Sequence, residues 1–386
     1  MKKLFLLTFT VLGLLTVSCN SNQQDNDPMA ETGRTQRTEN LLASLKELSA
    51  QDKFMFGHQD DVVYGIGWVG DSARSDVKSV CGDYPALLGF DLGRLETGSS
   101  KNLDGVDFDR IRQEIINQYE RGGVTSLSWH CYNPLSDRQS WVEDSLLDVE
   151  STTVASILGE GETHDKFISW LDLVAQFLNS LETADGVKVP VIFRPWHEHT
   201  GSWFWWGQNN CTTDDYKALW RLTVDRLREQ GVVNALYAYS TGTESGGDPD
   251  KFMERYPGDD YIDLIGLDFY CASPNSEEEA CAQYLEKAEK HVSMVCQLAK
   301  EHGKAAAVTE TGYEGIKTSD WWTKTLLPAV AQYPISYLLV WRNAHDKEGH
   351  FYAPYPGHSS ASDFVNFYKD EHTLFAGDMN GLYEAK

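Results

Sequence analysis

Two glutamates stand where paired carboxylate chemistry needs them. Glu198 closes the run Arg194-Pro195-Trp196-His197-Glu198, and Glu310 lies within Thr309-Glu310-Thr311-Gly312, each at the end of an apolar, β-rich stretch. Cleavage of a glycosidic bond asks for two such groups. One gives a proton to the departing oxygen, and the other attacks, or activates water, behind the anomeric carbon. The neighbours suit a division of labour. Trp196 and Trp203 flank Glu198 and can desolvate it, which raises a carboxyl pKa and makes an acid of it near neutrality. Arg194 and the Tyr270 hydroxyl can hold Glu310 as the anion. His58 and Gln59, Asp91 and Arg94, Trp129 and His130, Asp268 and Tyr270, and Trp341 and Arg342 end other apolar runs. Glu314 and Asp61 also follow such runs and read as loop charges.

The elements that carry these residues alternate in texture. Short apolar runs recur at 54–59, 85–91, 124–130, 189–198, 234–241, 263–270, 305–312 and 336–343. Between them lie amphipathic stretches: Phe108, Ile111, Ile115 and Tyr119 recur at helical spacing, as do Tyr216, Leu219, Trp220, Thr223 and Leu227. A third helical stretch carries His291, Cys296 and Leu298 and stops at Gly303. Near-continuous apolar strands alternating with helices imply a parallel sheet covered by helices. Eight of them, with no Gly-rich phosphate loop after an early strand, predict a closed (β/α)8 TIM barrel as a single catalytic domain over 38–386. Active sites of such barrels lie at the carboxyl ends of the strands, where the ionisable and aromatic residues gather.

Composition narrows the partners. The formal charge of −25 excludes nucleic-acid binding by phosphate neutralisation and disfavours a polyanionic substrate, leaving a neutral one. Lys2 and Lys3 precede an apolar stretch that ends at Ser18-Cys19, so residues 1–18 read as an export signal. Cys19 reads as the lipidated start of a tether over 19–37, although Thr16 replaces the usual Leu. Membrane attachment is then through that anchor alone, on the outer membrane of a Gram-negative bacterium. The remaining cysteines are scattered and none has zinc-ribbon spacing. His197-x-His199 with His58 and His130 resembles a barrel metal site, but metal-dependent barrel hydrolases carry His-x-His on the first strand rather than the fourth. No metal and no organic cofactor is expected, and a monomer suffices for the chemistry.

The segment from Arg194 through Glu198 to Trp206 resembles the acid/base signature of glycoside hydrolase family 26, whose typical members are β-mannanases. Gly57-His58-Gln59, Ser128-Trp129-His130, Asp268-x-Tyr270, Thr309-Glu310-Thr311-Gly312 and Val340-Trp341-Arg342 follow in the order that family requires. His197, where the wider clan of barrels has Asn, is a trait of this family. The resemblance implies a retaining mechanism on a β-mannan, with Glu198 as acid/base and Glu310 as nucleophile. It also implies substrate-binding roles for His58, His130, Arg194, His197, Asp268 and Tyr270, a stacking platform at Trp341, and a leaving-group contact at Trp203. Trp203 to Trp206 read as a sugar-binding wall, with Trp205 and Trp206 equally suited to core packing, whereas Trp220 belongs to a helix face. Trp68, Trp141, Trp321 and Trp322 fit either distal subsites or loop packing. Within the family β-1,3-xylan and mixed-linkage glucan are alternative substrates, and a glycan-binding lipoprotein without catalysis is the alternative of another class. The long stretch 132–164 can block a subsite, which would favour release of short products such as mannobiose.

Overall fold

The computed structural model describes residues 27–385; the expected export signal over 1–18 and the expected lipidation site Cys19 lie outside the described residues. Eight parallel strands form the body: β1 (Phe54–Gln59), β2 (Leu87–Asp91), β3 (Val124–Trp129), β4 (Val191–Pro195), β5 (Ala235–Thr241), β6 (Leu264–Tyr270), β7 (Ala305–Gly312) and β8 (Tyr337–Val340). Each pairs with the next, and β8 closes on β1 through Met55↔Tyr337 to His58↔Val340, so the sheet is a barrel. The main helices are α1 (Gln36–Ser49), α2 (Phe108–Glu120), α3 (Glu162–Asn179), α4 (Thr213–Glu229), α5 (Glu277–Glu301) and α6 (Ala361–Tyr368). Among the described residues no helix is long and apolar enough to cross a membrane.

Local sequence explains these elements. The Thr212 hydroxyl caps α4 by accepting from the Asp215 N–H, Asp214 and Asp215 face the positive helix start, and Arg226 and Arg228 sit in the last turn. Tyr216, Leu219, Trp220, Thr223, Val224 and Leu227 form its buried stripe. Ser276 caps α5 in the same way, ahead of three glutamates in the first turn.

Strand alternation makes two cores. Phe54, Phe56, Leu88, Phe90, Leu127 and Trp129 point out to the helices, whereas Met55, Leu87, Val124, Ile192, Leu236 and Leu264 point into the barrel. Each such side chain stabilises the fold by about 1.5–3 kcal/mol through burial. Leu41 and Leu45 of α1 plug the floor of the barrel beneath that inner layer.

The interior changes character from floor to mouth. Above the apolar layer come small residues that admit a neighbour's side chain. A Cβ at Gly89 would lie 1.9 Å from Gln59 Oε1, and one at Gly266 would lie 2.6 Å from Thr309 Cγ2 and Oγ1. Above these, at the strand ends, the interior is polar.

The domain begins earlier than residue 38. Met29 bridges Thr35, the Thr35 N–H donates to Val233 O, and Arg34 makes paired hydrogen bonds of 2.8 and 2.7 Å to Asp263 beneath β6. Residues 29–37 are therefore part of the folded body rather than tether.

Candidate active site

Glu198 stands on a turn that the backbone alone disfavours. β4 ends at Pro195, and Trp196 and Glu198 then take φ of 54° and 52°, in the left-handed region. Surrounding bonds enforce this turn. The Trp196 carbonyl accepts from the Tyr216 hydroxyl at 2.7 Å, the His197 carbonyl accepts from Trp206 Nε1 at 2.8 Å, and the Glu198 N–H donates to Ser240 O at 3.2 Å. The turn lifts the half-buried Glu198 carboxyl into the barrel mouth, where Trp203 Nε1 donates to Oε2 at 2.9 Å. Burial and the charges of Glu310 and Asp268 hold Glu198 well above the ordinary carboxyl range, against the pull of Arg194 and the Trp203 indole. This setting favours its protonated, proton-donating form.

Arg194 organises the other carboxylates. It is 1% exposed, points inward from β4, and donates through Nη1 to Asp268 Oδ2 at 2.8 Å and to Ser240 Oγ at 3.1 Å, and through Nη2 to Glu310 Oε1. The other Glu310 oxygen accepts from the Tyr270 hydroxyl at 2.7 Å. Burial and the Glu310 charge keep that phenol well above its usual pKa, so it stays a donor. With a charged donor on one oxygen and a hydroxyl on the other, Glu310 has the surroundings of an anion. Thr309 Oγ1 donates to Asp268 Oδ1 at 2.6 Å and completes the support behind Arg194. Oxygens of Glu198, Asp268 and Glu310 all lie within 4.8 Å of one another. Such closeness is in keeping with the about 5–5.5 Å carboxyl spacing of direct nucleophilic attack and falls short of the about 6.5–9.5 Å of inversion.

The trio has the spacing of a metal site, but its charge is already answered. Arg194 and Tyr270 occupy Glu310, and Arg194 and Thr309 occupy Asp268, so these carboxylates are committed to protein donors.

Beside the carboxylates lies a histidine pair of unequal charge. His130 Nδ1 is 2.7 Å from Asp91 Oδ2, and its Nε2 is 3.3 Å from His197 Nε2. Burial opposes protonation of His130, but Asp91, and further off Glu310, more than offset this and raise its pKa. Burial and the cations around it hold His197 well below the ordinary imidazole range. The opposite shifts make His130 the more readily protonated ring of the pair. Trp141 stacks on His130 at 5.2 Å and 17°, and half-buried Trp341 stands 6.3 Å from it on the opposite wall.

The structure brings Glu198, Glu310, His130, Arg194, His197, Trp203, Asp268, Tyr270 and Trp341 to this mouth. It does not bring His58. That side chain is fully buried on the outward face of β1, with Nδ1 2.7 Å from Asp61 Oδ1, so its expected substrate contact is corrected to a structural pairing. Asp61, 1% exposed, is likewise no loop charge, whereas Glu314 is a surface group paired with His350. Asp268 is sealed behind Arg194 and positions it rather than touching substrate. Trp196 turns into the helix layer and donates to Thr223, so it does not desolvate Glu198. The aromatic wall is also smaller than the sequence suggests: Trp203 is 38% exposed, but Trp205 and Trp206 are fully buried, as are Trp321 and Trp322. Trp141, 44% exposed, joins the rim through a bridge to Phe204. No spacing rule selects it, because it arrives from a loop. Asp91 and Thr309 support the site too, and both sit at strand ends where ionisable and hydroxyl groups were already conspicuous.

A model of glycosyl hydrolase family 26 matches residues 30–318. A mannan endo-1,4-β-mannosidase of Bifidobacterium adolescentis is 31% identical over 374 residues, which is 92% of this chain and 36% of that protein. Another, from Bacillus subtilis, is 27% identical over 61% of this chain and 63% of its own length. The chain thus spans less than two thirds of the length of either curated relative. Among solved structures, a GH26 β-mannanase from Bacteroides ovatus superposes with a TM-score of 0.86 at 51% identity, covering 92% of this chain and 98% of that one. A modular endo-β-1,4-mannanase from Cellulomonas fimi gives 0.80 at 30% identity, over 93% and 80%. The chain belongs to glycoside hydrolase family 26.

Proposed function

We propose that this protein is a retaining β-1,4-mannanase that hydrolyses mannan, galactomannan or glucomannan by double displacement. In the first step a Glu310 oxygen bonds to the anomeric carbon as the glycosidic C–O bond breaks, and Glu198 gives its proton to the departing oxygen. In the second, Glu198 takes a proton from water, the water oxygen bonds to the anomeric carbon, and the bond to Glu310 breaks. The observation that carries this reading is the pair's unequal setting within 4.8 Å: a carboxyl whose pKa burial and neighbouring charge raise, beside a carboxylate held by Arg194 and Tyr270. The mannan specificity rests on the named relatives. The loop 132–164 supports short products such as mannobiose, because Val142 donates to Trp203 O and pins it beside the acid.

The test is product analysis on linear mannan, galactomannan, xylan and mixed-linkage glucan, with Glu310→Ala and Glu198→Ala controls. Manno-oligosaccharides from the native chain alone support the proposal. Cleavage of another polymer overturns the substrate, and no release from any polymer overturns catalysis in favour of glycan binding. On an activated aryl glycoside Glu198→Ala keeps most of its first-step rate while Glu310→Ala loses it; equal losses overturn the two roles. We further propose export through residues 1–18 and lipidation at Cys19, tested by fatty-acid labelling that Cys19→Ala abolishes.

A further inference from the structure

We propose that Cys271 and Cys281 are joined by a disulfide that ties the end of β6, next to Tyr270, to the first turns of α5. The register of this strand and helix brings them together. Phe269 points outward from β6 and stacks on Tyr284 of α5, ring centroids 4.6 Å apart at 15°. Cys271 is two residues further up the strand on that same outward face. Cys281 is three residues back toward the start of α5, on the face that carries Tyr284. The helix runs antiparallel to the strand it follows. A climb of about 6.6 Å along the strand is therefore met by about 4.5 Å along the helix, which sets the two sulfurs opposite each other.

Other contacts fit. Cys271 is 3% exposed, its N–H donates to Gly312 O at 2.9 Å, and the Cys281 thiol is among the groups near enough to act on its own. Cys281 is half-buried and packs against the same apolar cluster. Burial pushes the Cys271 thiol up to about 12, which leaves little thiolate in the folded protein. Burial at Cys271 also shields the bond, once formed, from small reductants. In forming it, each cysteine loses a proton, and the pair gives two electrons to a disulfide oxidant such as glutathione disulfide, which leaves as two thiols.

The consequence for the site is direct. Tyr270, whose hydroxyl holds Glu310, is the residue before Cys271. A covalent tie there fixes the strand end from which the phenol projects.

The test uses the full chain in two preparations: one produced without reductant in an exporting host, the other unfolded, reduced and refolded with glutathione and its disulfide. Both are denatured, alkylated and digested. A linked peptide joining Cys271 to Cys281 in both preparations is the expected result. The native chain should also melt about 4 °C higher than its reduced form, with Cys281→Ser insensitive to reductant. Full alkylation of both cysteines after refolding with glutathione disulfide, or either one linked elsewhere, overturns the proposal. A bond present after refolding but absent from the exported preparation keeps this proposal and overturns the reading of export into an oxidising compartment.

Discussion

Gly266→Ala tests whether the layer beneath the mouth controls the chemistry above it. The added Cβ would stand 2.6 Å from both Cγ2 and Oγ1 of Thr309. Ordinary contact begins near 3.4 Å, so one partner must move by about 0.8 Å. Thr309 is β-branched and fully enclosed, and cannot swing aside into another rotamer without cost. Its hydroxyl is the 2.6 Å donor to Asp268, which holds Arg194 at 2.8 Å, which in turn holds Glu310. Overpacking of this kind costs about 1–3 kcal/mol of stability. A displacement approaching 1 Å passed along the relay lowers kcat about 100-fold with a smaller effect on KM. Urea unfolding and steady-state kinetics on an activated aryl mannoside measure the two effects separately. Thr309→Val, which keeps the shape and removes the donor, should lower kcat with little overpacking. Lost stability at undiminished kcat would refute the relay, and unchanged stability would refute the close approach in the barrel interior.

Three further outcomes follow from the electrostatics. Trp203→Phe removes the 2.9 Å indole donor that pulls the Glu198 pKa down, so the alkaline limb of kcat moves to higher pH, and an unmoved limb counts against that bond. His130 has a raised pKa and Asp91 a lowered one, so their pairing stabilises the fold between the two. That stability is lost as pH rises through the His130 pKa or falls through that of Asp91, and Asp91→Asn should flatten both limbs of a plot of urea midpoint against pH. His199 is buried between Tyr216 at 4.4 Å and Tyr239 at 4.8 Å, and burial and Arg255 hold it well below the ordinary range. The unfolded chain therefore binds a proton that the folded one refuses below about pH 6.5. His199→Phe should melt higher than the native chain at pH 5, with the gap narrowing toward pH 8.

What the sequence discloses is the part governed by periodicity. Alternating strands and helices locate the barrel, and strand ends locate Glu198, Glu310, His130 and Tyr270, because the fold places chemistry there. Period-two alternation also explains the misreading of His58: Met55, Gly57 and Gln59 face inward, so the residue between Gly57 and Gln59 must face the helices. Other features depend on contacts far apart in sequence. Nothing local marks Trp196 and Glu198 for the left-handed region; Tyr216, Trp206 and Ser240 impose it from elsewhere. Trp205 and Trp206 look like a sugar wall beside Trp203 until Cys131 O and His197 O are seen to accept from their indoles below the surface. The start of the body at residue 29 depends on Arg34 meeting Asp263 across the chain.

The plugged floor of the barrel has a practical consequence. Leu41 and Leu45 share it with Leu382 and Tyr383, and Asn40 and Ser44 donate to the Tyr383 and Leu382 carbonyls at 3.0 and 2.8 Å. Both ends of the described chain are thus gathered at the pole opposite the catalytic mouth. A support, a fused module or a surface coupled at either end leaves the mouth facing outward, open to a chain too long to diffuse around the protein such as the mannan proposed above.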